Sequence, residues 1–341
     1  MKRFRFWFLP VFSLLLVLSA CRLSFVDKGI VETKDITDIS KYVNKDSLVI
    51  FDIDLTILKS YMKNSAGKEL ELNFGAIINY MLKNVQKEYE SKILNEVYNA
   101  GIDKSKEDEV KKLIKRNFVI SIEKDLFSSS GNFYKHVKKQ LVDPKIKNEI
   151  KKLEDQGIKV MALTGRSWYQ KKHTKEELNS LGIYFGKDSI YDKELLRKKC
   201  LTEHGFGFYN GVLHVIPCPN IKTKPEKGKI LINFFKEIDY KPKEIVFVDD
   251  KQNNVDSVFT ALKNNKIPVV TLLYRECIYK TKVLPQADLK FIEEVVGKNW
   301  YKIKINVNKV AKNIKTSLDE GVEVFASNES VKYVDPSIHF A

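Results

Sequence analysis

Apolar residues fall along this chain in short unbroken runs and in longer helical periods, and the two patterns alternate. Ser47-Leu48-Val49-Ile50-Phe51 is apolar after its first residue. A run with no alternation predicts a strand covered on both faces. Similar runs follow at Lys159-Val160-Met161-Ala162-Leu163, from Glu244 to Val248 and from Pro268 to Tyr274. Between them the period becomes helical: Ile146, Ile150 and Leu153 before a stop at Gly157, then 229–238 with Ile230, Leu231, Phe234, Phe235 and Ile238, then a helix around 255–264. Strands alternating with helices predict an α/β fold, a Rossmann-like parallel sheet with helices on both faces.

From about 60 to 140 the pattern is helical and highly charged, in segments such as Phe74 to Tyr89, Ser91 to Tyr98 and Asp108 to Ile114. This predicts a helical module inserted after the first strand. Asn210-Gly211, between the apolar runs Phe206 to Tyr209 and Val212 to Val215, predicts a two-residue hairpin, read as a small β appendage near the site. The tail beyond 285 predicts one helix and a polar end, and no internal repeat is present. The expected organisation is a leader at 1–20, a polar tether at 21–46, a core of 47–58 and 141–285, a helical cap insertion at 59–140, and a C-terminal extension at 286–341.

The leader changes the picture of where the chain resides. Met1-Lys2-Arg3-Phe4-Arg5 precedes an apolar run from Phe6 to Leu18, broken only by Pro10 and Ser13 and too short to span a bilayer comfortably. That is a signal peptide in outline. It ends at Leu18-Ser19-Ala20-Cys21, which resembles the lipobox of bacterial lipoproteins and implies lipidation at Cys21. Arg22 follows, which leaves the membrane leaflet open. The expected location is therefore exported, periplasmic or surface, anchored by lipid to a bacterial membrane. Of the other cysteines, Cys200, Cys218 and Cys277, no pair has metal-ligand spacing, and their disulfide pairing is open. Net charge is +15, and +12 beyond the leader, with the basic residues widely spread. Such a field favours anionic partners as a class. It selects phosphorylated small molecules no more than a solvated lysine-rich surface would require, and specific nucleic-acid binding is not expected.

Four polar clusters sit at strand ends or helix starts, where open α/β sheets bind ligands. They are Asp52-Ile53-Asp54-Leu55-Thr56, Thr164-Gly165-Arg166, Lys227-Gly228, and Asp249-Asp250 with Asn254. Acidic clusters brought together need a cation, and Mg²⁺ suits Asp52, Asp249 and Asp250. A hydroxyl, a backbone turn and a lysine at a helix N-terminus supply donors for an anion. Together these point to phosphoryl chemistry, where positioning and charge neutralisation dominate. An EF-hand is a poorer reading of the first cluster, because Ile57 stands where that loop needs glycine.

Asp-x-Asp-x-Thr after an apolar strand, Leu-Thr-Gly-Arg, Lys-Gly before a helix, and Val-Asp-Asp-x-x-x-Asn, in that order, resemble the haloacid dehalogenase superfamily. Singly the motifs are weak, and their order is the specific part. The resemblance covers roughly 47–57 and 145–275 and implies that superfamily's Rossmann-like core. It implies Asp52 as nucleophile forming an aspartyl-phosphate, and Asp54 as general acid and then base, its carbonyl also on the metal. It further implies Thr164 and Gly165 on the phosphoryl group, Lys227 neutralising charge, and Asp249 completing the metal ligands Asp52 and Asp54. Asp250, Asn254 and Arg166 stand behind them. Lys224 and Lys229 are rivals to Lys227, which directly precedes the helical pattern. An acid at 54 favours phosphate-ester hydrolysis of a small phosphorylated substrate.

In layout the chain is similar to bacterial class C acid phosphatases, although Leu55, Thr56, the long insertion and the tail depart from them. The expectation is an exported Mg²⁺-dependent phosphatase. The competing expectation is a catalytically silent surface lipoprotein with a binding or host-interaction role. Trp168 and Tyr169 could stack on substrate, but core packing is the better expectation, and His204 and His214 read as structural.

Overall fold

The computed structural model describes residues 29–127, 132–166, 168–186, 189–197, 204–216, 225–277 and 283–319. The leader, Cys21, Cys200, Cys218 and Lys224 lie outside the described residues. In chain order the first half holds β1 (Gly29–Thr33), β2 (Ser47–Phe51), β3 (Leu58–Lys63), β4 (Glu69–Glu71), α1 (Phe74–Asn99), α2 (Glu107–Phe127), the short α3 (Asn132–Lys135) and β5 (Lys138–Leu141). Then come α4 (Lys145–Asp155), β6 (Lys159–Thr164), α5 (Lys171–Ser180), β7 (Leu195–Arg197), β8 (Gly205–Tyr209) and β9 (Val212–Ile216). The remainder is α6 (Lys227–Glu237), β10 (Glu244–Asp249), α7 (Gln252–Asn264), β11 (Val269–Tyr274), α8 (Gln286–Val296) and α9 (Val307–Asp319).

The apolar runs form one sheet in the order β1-β11-β10-β2-β6-β9-β8-β7. Its first six strands are parallel, and the pairings of β9 with β8 and of β8 with β7 are antiparallel. The fold is therefore mixed α/β with a mostly parallel sheet, as expected. Strand pleating sends Val49, Phe51, Val246, Val248, Val160 and Ala162 to one face, with Ile146, Ile150 and Leu153 of α4. Leu48, Ile50, Ile245, Phe247, Met161 and Leu163 go to the other, under α6 and α7. Each of the buried Val, Leu, Ile, Phe and Met side chains among them stabilises the fold by about 1.5–3 kcal/mol. The chain runs outward from β2 through β6 to β9, then returns to β10 on the opposite side of β2. That reversal opens a crevice at the carboxyl ends of β2, β6 and β10, the place where doubly wound sheets bind ligands.

Four segments differ from expectation. The hairpin extends the main sheet rather than standing apart, because Val212 to Val215 are buried and β9 pairs with β6. Its turn needs glycine: φ is 51° at Asn210 and 77° at Gly211, and a Cβ on Gly211 would lie 2.2 Å from the Phe185 carbonyl oxygen. Within the expected tether, β1 pairs with β11, and Ile36 and Ile39 are buried in a short 3-10 helix.

The insertion contains strands as well as helices. Antiparallel β4-β3-β5 forms a second sheet in which Leu58, Ser60 and Met62 are buried at a period of two. The C-terminal extension folds onto the insertion as two helices, not one. Leu289, Phe291 and Ile292 of α8 and Val310, Ala311 and Ile314 of α9 share a core with Ile77, Met81 and Val85 of α1 and Ile114 and Phe118 of α2. Among the described residues, no helix is long and apolar enough to cross a membrane.

Candidate active site

Asp52 follows β2 directly, its backbone N–H donating to the Val248 carbonyl at 2.8 Å. The first side chain of α6, Lys227, reaches under it. The ammonium donates to Asp52, to Asp249 Oδ2 at 2.8 Å and to the Leu163 carbonyl at 3.0 Å. One buried cation thus ties together the ends of β2, β10 and β6. Gly228 lets α6 come this close: a Cβ there would meet the Ser257 carbonyl oxygen at 2.1 Å, and its N–H donates to Ser257 Oγ at 3.0 Å. Lys229, by contrast, is exposed and paired with Glu226 at 2.9 Å.

Asp249 is fully buried, and both its oxygens accept hydrogen bonds. Oδ1 accepts from the Lys251 N–H at 2.9 Å and Asn254 Nδ2 at 3.0 Å, and Oδ2 accepts from Lys227 and again from Asn254 at 3.0 Å. Asn254 therefore holds Asp249. Asp250, which the resemblance puts behind the metal and the chemistry of the acidic clusters puts on it, stands beside Asp52 and Asp249: one oxygen from each of the three lies within 4.8 Å of the others. Its Oδ1 is buried without a hydrogen-bond partner. An orphaned oxygen in a cluster of hard carboxylate donors is what a divalent cation would satisfy, so these residues fit Mg²⁺. Electrostatics agree. Burial, reinforced by Asp249 and Asp250, pushes Asp52 up to about 7 against the pull of Lys227, and burial pushes Asp250 up to about 6. Burial works against the Lys227 ammonium too, but Asp249 and Asp52 outweigh it and raise the lysine.

Asp54 projects from the turn after β2, where the Ile53 carbonyl accepts from both Ile57 N–H at 2.9 Å and Leu58 N–H at 2.8 Å. Leu55 takes φ 68°, a left-handed conformation costing a non-glycine residue about 1–2 kcal/mol. The carboxylate, 45% exposed, meets Arg166 in a two-pronged pair: Nε to Oδ2 at 2.8 Å and Nη2 to Oδ1 at 2.7 Å. Burial alone would raise Asp54, but the guanidinium outweighs it and holds the carboxyl well below the usual range. Thr164 ends β6 fully buried, its hydroxyl accepting from the Arg166 N–H at 3.1 Å, with the exposed Gly165 between them.

Behind this turn lies His214, opposite Thr164 in the sheet and fully buried. Nδ1 is 3.3 Å from the Arg166 carbonyl, while Nε2 has no partner. Burial first, then the nearby cations, lower it to about 4 against the hydrogen bond to Arg166. An unfolded histidine takes a proton below about 6.5, whereas this one refuses until about 4. Its contribution to stability is therefore full above 6.5 and falls as pH drops toward 4. Wild type should lose about 2 kcal/mol more than His214→Gln between pH 7.5 and 5 in denaturant titrations. Equal losses would show that His214 is not buried neutral.

Trp168 packs at 7% exposure, edge-on to His214 at 5.9 Å, as core rather than substrate platform. The Tyr169 side chain lies outside the described residues, and His204 is half-buried just before β8. The Cys277 thiol donates to Glu71 at 2.8 Å, and burial pushes it up to about 12. The sequence reading missed Glu177 on α5 and Lys139 on β5, which also reach Arg166's surroundings. Glu177 left one trace: it shares the helical face of buried Thr174 and Leu178.

Residues 120–320 match the model of a family described as a protein of unknown function, DUF2608. No curated protein matches the chain. Among solved structures, a haloacid dehalogenase-like hydrolase from Streptococcus pneumoniae is 12% identical, with 67% of this chain and 95% of that one covered at a TM-score of 0.30. A phospho-aspartyl intermediate analogue of phosphoserine phosphatase is 17% identical, with 67% and 93% covered at a TM-score of 0.30.

Proposed function

The chain belongs to the DUF2608 family, and we propose, from the geometry of its site, that it is a Mg²⁺-dependent phosphatase acting on small phosphate monoesters. The observation that carries this reading is the buried Lys227 bridging Asp52 and Asp249 beside the orphaned oxygen of Asp250. The order of its motifs resembles that of the haloacid dehalogenase superfamily. The leader and Cys21 extend the proposal to an exported protein held by lipid on a bacterial membrane.

Asp52, Asp249, Asp250 and the carbonyl of Asp54 would hold the ion. When bound, Mg²⁺ supplies charge neutralisation to a phosphoryl group facing several carboxylates. Asp52 Oδ attacks phosphorus in line, and the bond to the leaving oxygen breaks as the aspartyl-phosphate forms. Lys227 neutralises charge shared between Asp52 and the phosphoryl oxygens, and Thr164 with the Gly165 backbone offers donors to them. Asp54, ionised while Arg166 holds it, takes a proton from solvent once it turns away, gives it to the leaving oxygen, and then takes one from the water that cleaves the aspartyl-phosphate. Asp249, held by Asn254 and the Lys251 N–H, keeps Lys227 in place.

The test is turnover of a generic phosphate monoester by the purified protein. We expect activity that chelation abolishes, with Asp52→Asn at least about 10³-fold down and Asp54→Asn about 10²-fold down. Undiminished activity in Asp52→Asn would overturn the reading. Folded, Mg²⁺-binding but inert wild type would favour a binding protein.

A further inference from the structure

Asp54 is linked to the insertion by an unbroken chain of buried polar groups. Arg166, 8% exposed, grips Asp54 with two nitrogens and turns the third, Nη1, to Glu177 Oε2 at 2.5 Å. Glu177 is 6% exposed, and its other oxygen accepts from the Tyr134 hydroxyl, lies 3.0 Å from His173 Nε2, and is 3.5 Å from the Lys139 ammonium. Lys139, 11% exposed, donates to Ser60 Oγ at 2.7 Å, its direct partner across β3 and β5. Those strands are where the chain enters and leaves the insertion. Charge alternates along the whole line: Asp54, Arg166, Glu177, Lys139.

Burying ionised groups costs several kcal/mol each, and a well-packed apolar replacement often serves stability as well or better. Three in a row beside a working carboxylate, with all three nitrogens of Arg166 engaged, constrain orientation. All three nitrogens of Arg166 are engaged within the protein: Nε and Nη2 hold Asp54, and Nη1 holds Glu177 and, at 3.3 Å, Thr174. Resting on the reading of Asp54 as the acid–base group, we propose that Glu177 is a positioning residue. Through Arg166 it sets the direction of the Asp54 carboxylate, and through Lys139 it ties that direction to the strands carrying the insertion. Withdrawal of Lys139 with a shift of β3 and β5 would let Glu177 take more of Arg166 and free Asp54 toward the leaving group.

The test uses the purified protein with Glu177→Gln, Lys139→Met and the double variant, read in two ways. Steady-state kinetics on a generic phosphate monoester should show kcat down about tenfold or more in Glu177→Gln with KM within about threefold, and a double variant no worse than Glu177→Gln alone. Amide hydrogen exchange should rise about threefold or more in Glu177→Gln both at 52–57 and in strands 58–63 and 138–141, and Asp54→Asn should raise it in the same strands. Losses that multiply in the double variant, or exchange changes confined to 166–180, would overturn the coupling. Should wild type prove inert, the phosphatase reading falls, while the exchange result still decides whether Asp54 and the insertion are linked.

Discussion

Lys227→Met is expected to remove turnover by about 10²–10³-fold or more and to cost about 3–5 kcal/mol of stability. Lys227 is 6% exposed and lies between two carboxylates, Asp52 at 6% and Asp249 at 0% side-chain exposure. Methionine fills the volume and leaves both acids without their common partner. Asn254 still donates twice to Asp249, but Asp52 keeps no such support. Saturating Mg²⁺ should restore more stability to this variant than to wild type, because the cation then serves the orphaned carboxylates. It should not restore turnover, because the ammonium proposed to neutralise the phosphoryl oxygens is gone. Urea titrations with and without Mg²⁺ separate the two effects, and full rescue of activity by the ion would count against the role given to Lys227.

Gly228→Ala carries the second large effect. Alanine is the better helix former by about 1 kcal/mol, which would favour the variant if the site were open. It is not: the new methyl would lie 2.1 Å from the Ser257 carbonyl oxygen and 2.7 Å from Ala261 Cβ, both on α7. A backbone oxygen cannot rotate aside, so α6 must move, at an overpacking cost of about 1–3 kcal/mol or more. The same displacement shifts Lys227, one residue away, and misplacement by about 1 Å can cost about 10²-fold in rate. We expect a lower melting temperature together with a loss in kcat. An unchanged melting temperature would mean that α6 and α7 are not packed this closely.

The core strands were legible because each is apolar on both faces, and only a strand between two helical layers in a parallel sheet needs that. Motif placement followed, since strand ends locate a crevice without further information. The insertion's strands were not read, although Leu58, Ser60 and Met62 alternate with Lys59, Tyr61 and Lys63, because the charged helical pattern around them dominated the window. The docking of α8 and α9 was invisible for a different reason: their partners on α1 and α2 lie some two hundred residues earlier, and periodicity reports an apolar face without naming what covers it. Within the site, the clusters could be found in sequence but not the division of labour. Nothing in Val-Asp-Asp distinguishes a carboxylate held by Lys251, Asn254 and Lys227 from one with an orphaned oxygen. Arg166 was found through Thr-Gly-Arg, whereas Glu177 and Lys139 belong to no motif and were not.

On the proposed mechanism Asp52 becomes phosphorylated. Asp54→Asn removes the group that would activate water, so the aspartyl-phosphate should outlive its formation in that variant. Brief incubation with a reactive phosphate monoester and Mg²⁺, acid quench and peptide mass spectrometry should then find one phosphoryl group on the peptide bearing Asp52, dependent on Mg²⁺ and missing from the Asp52→Asn/Asp54→Asn pair. Turnover in wild type with no phosphorylated peptide, or with the group on another residue, would contradict the account.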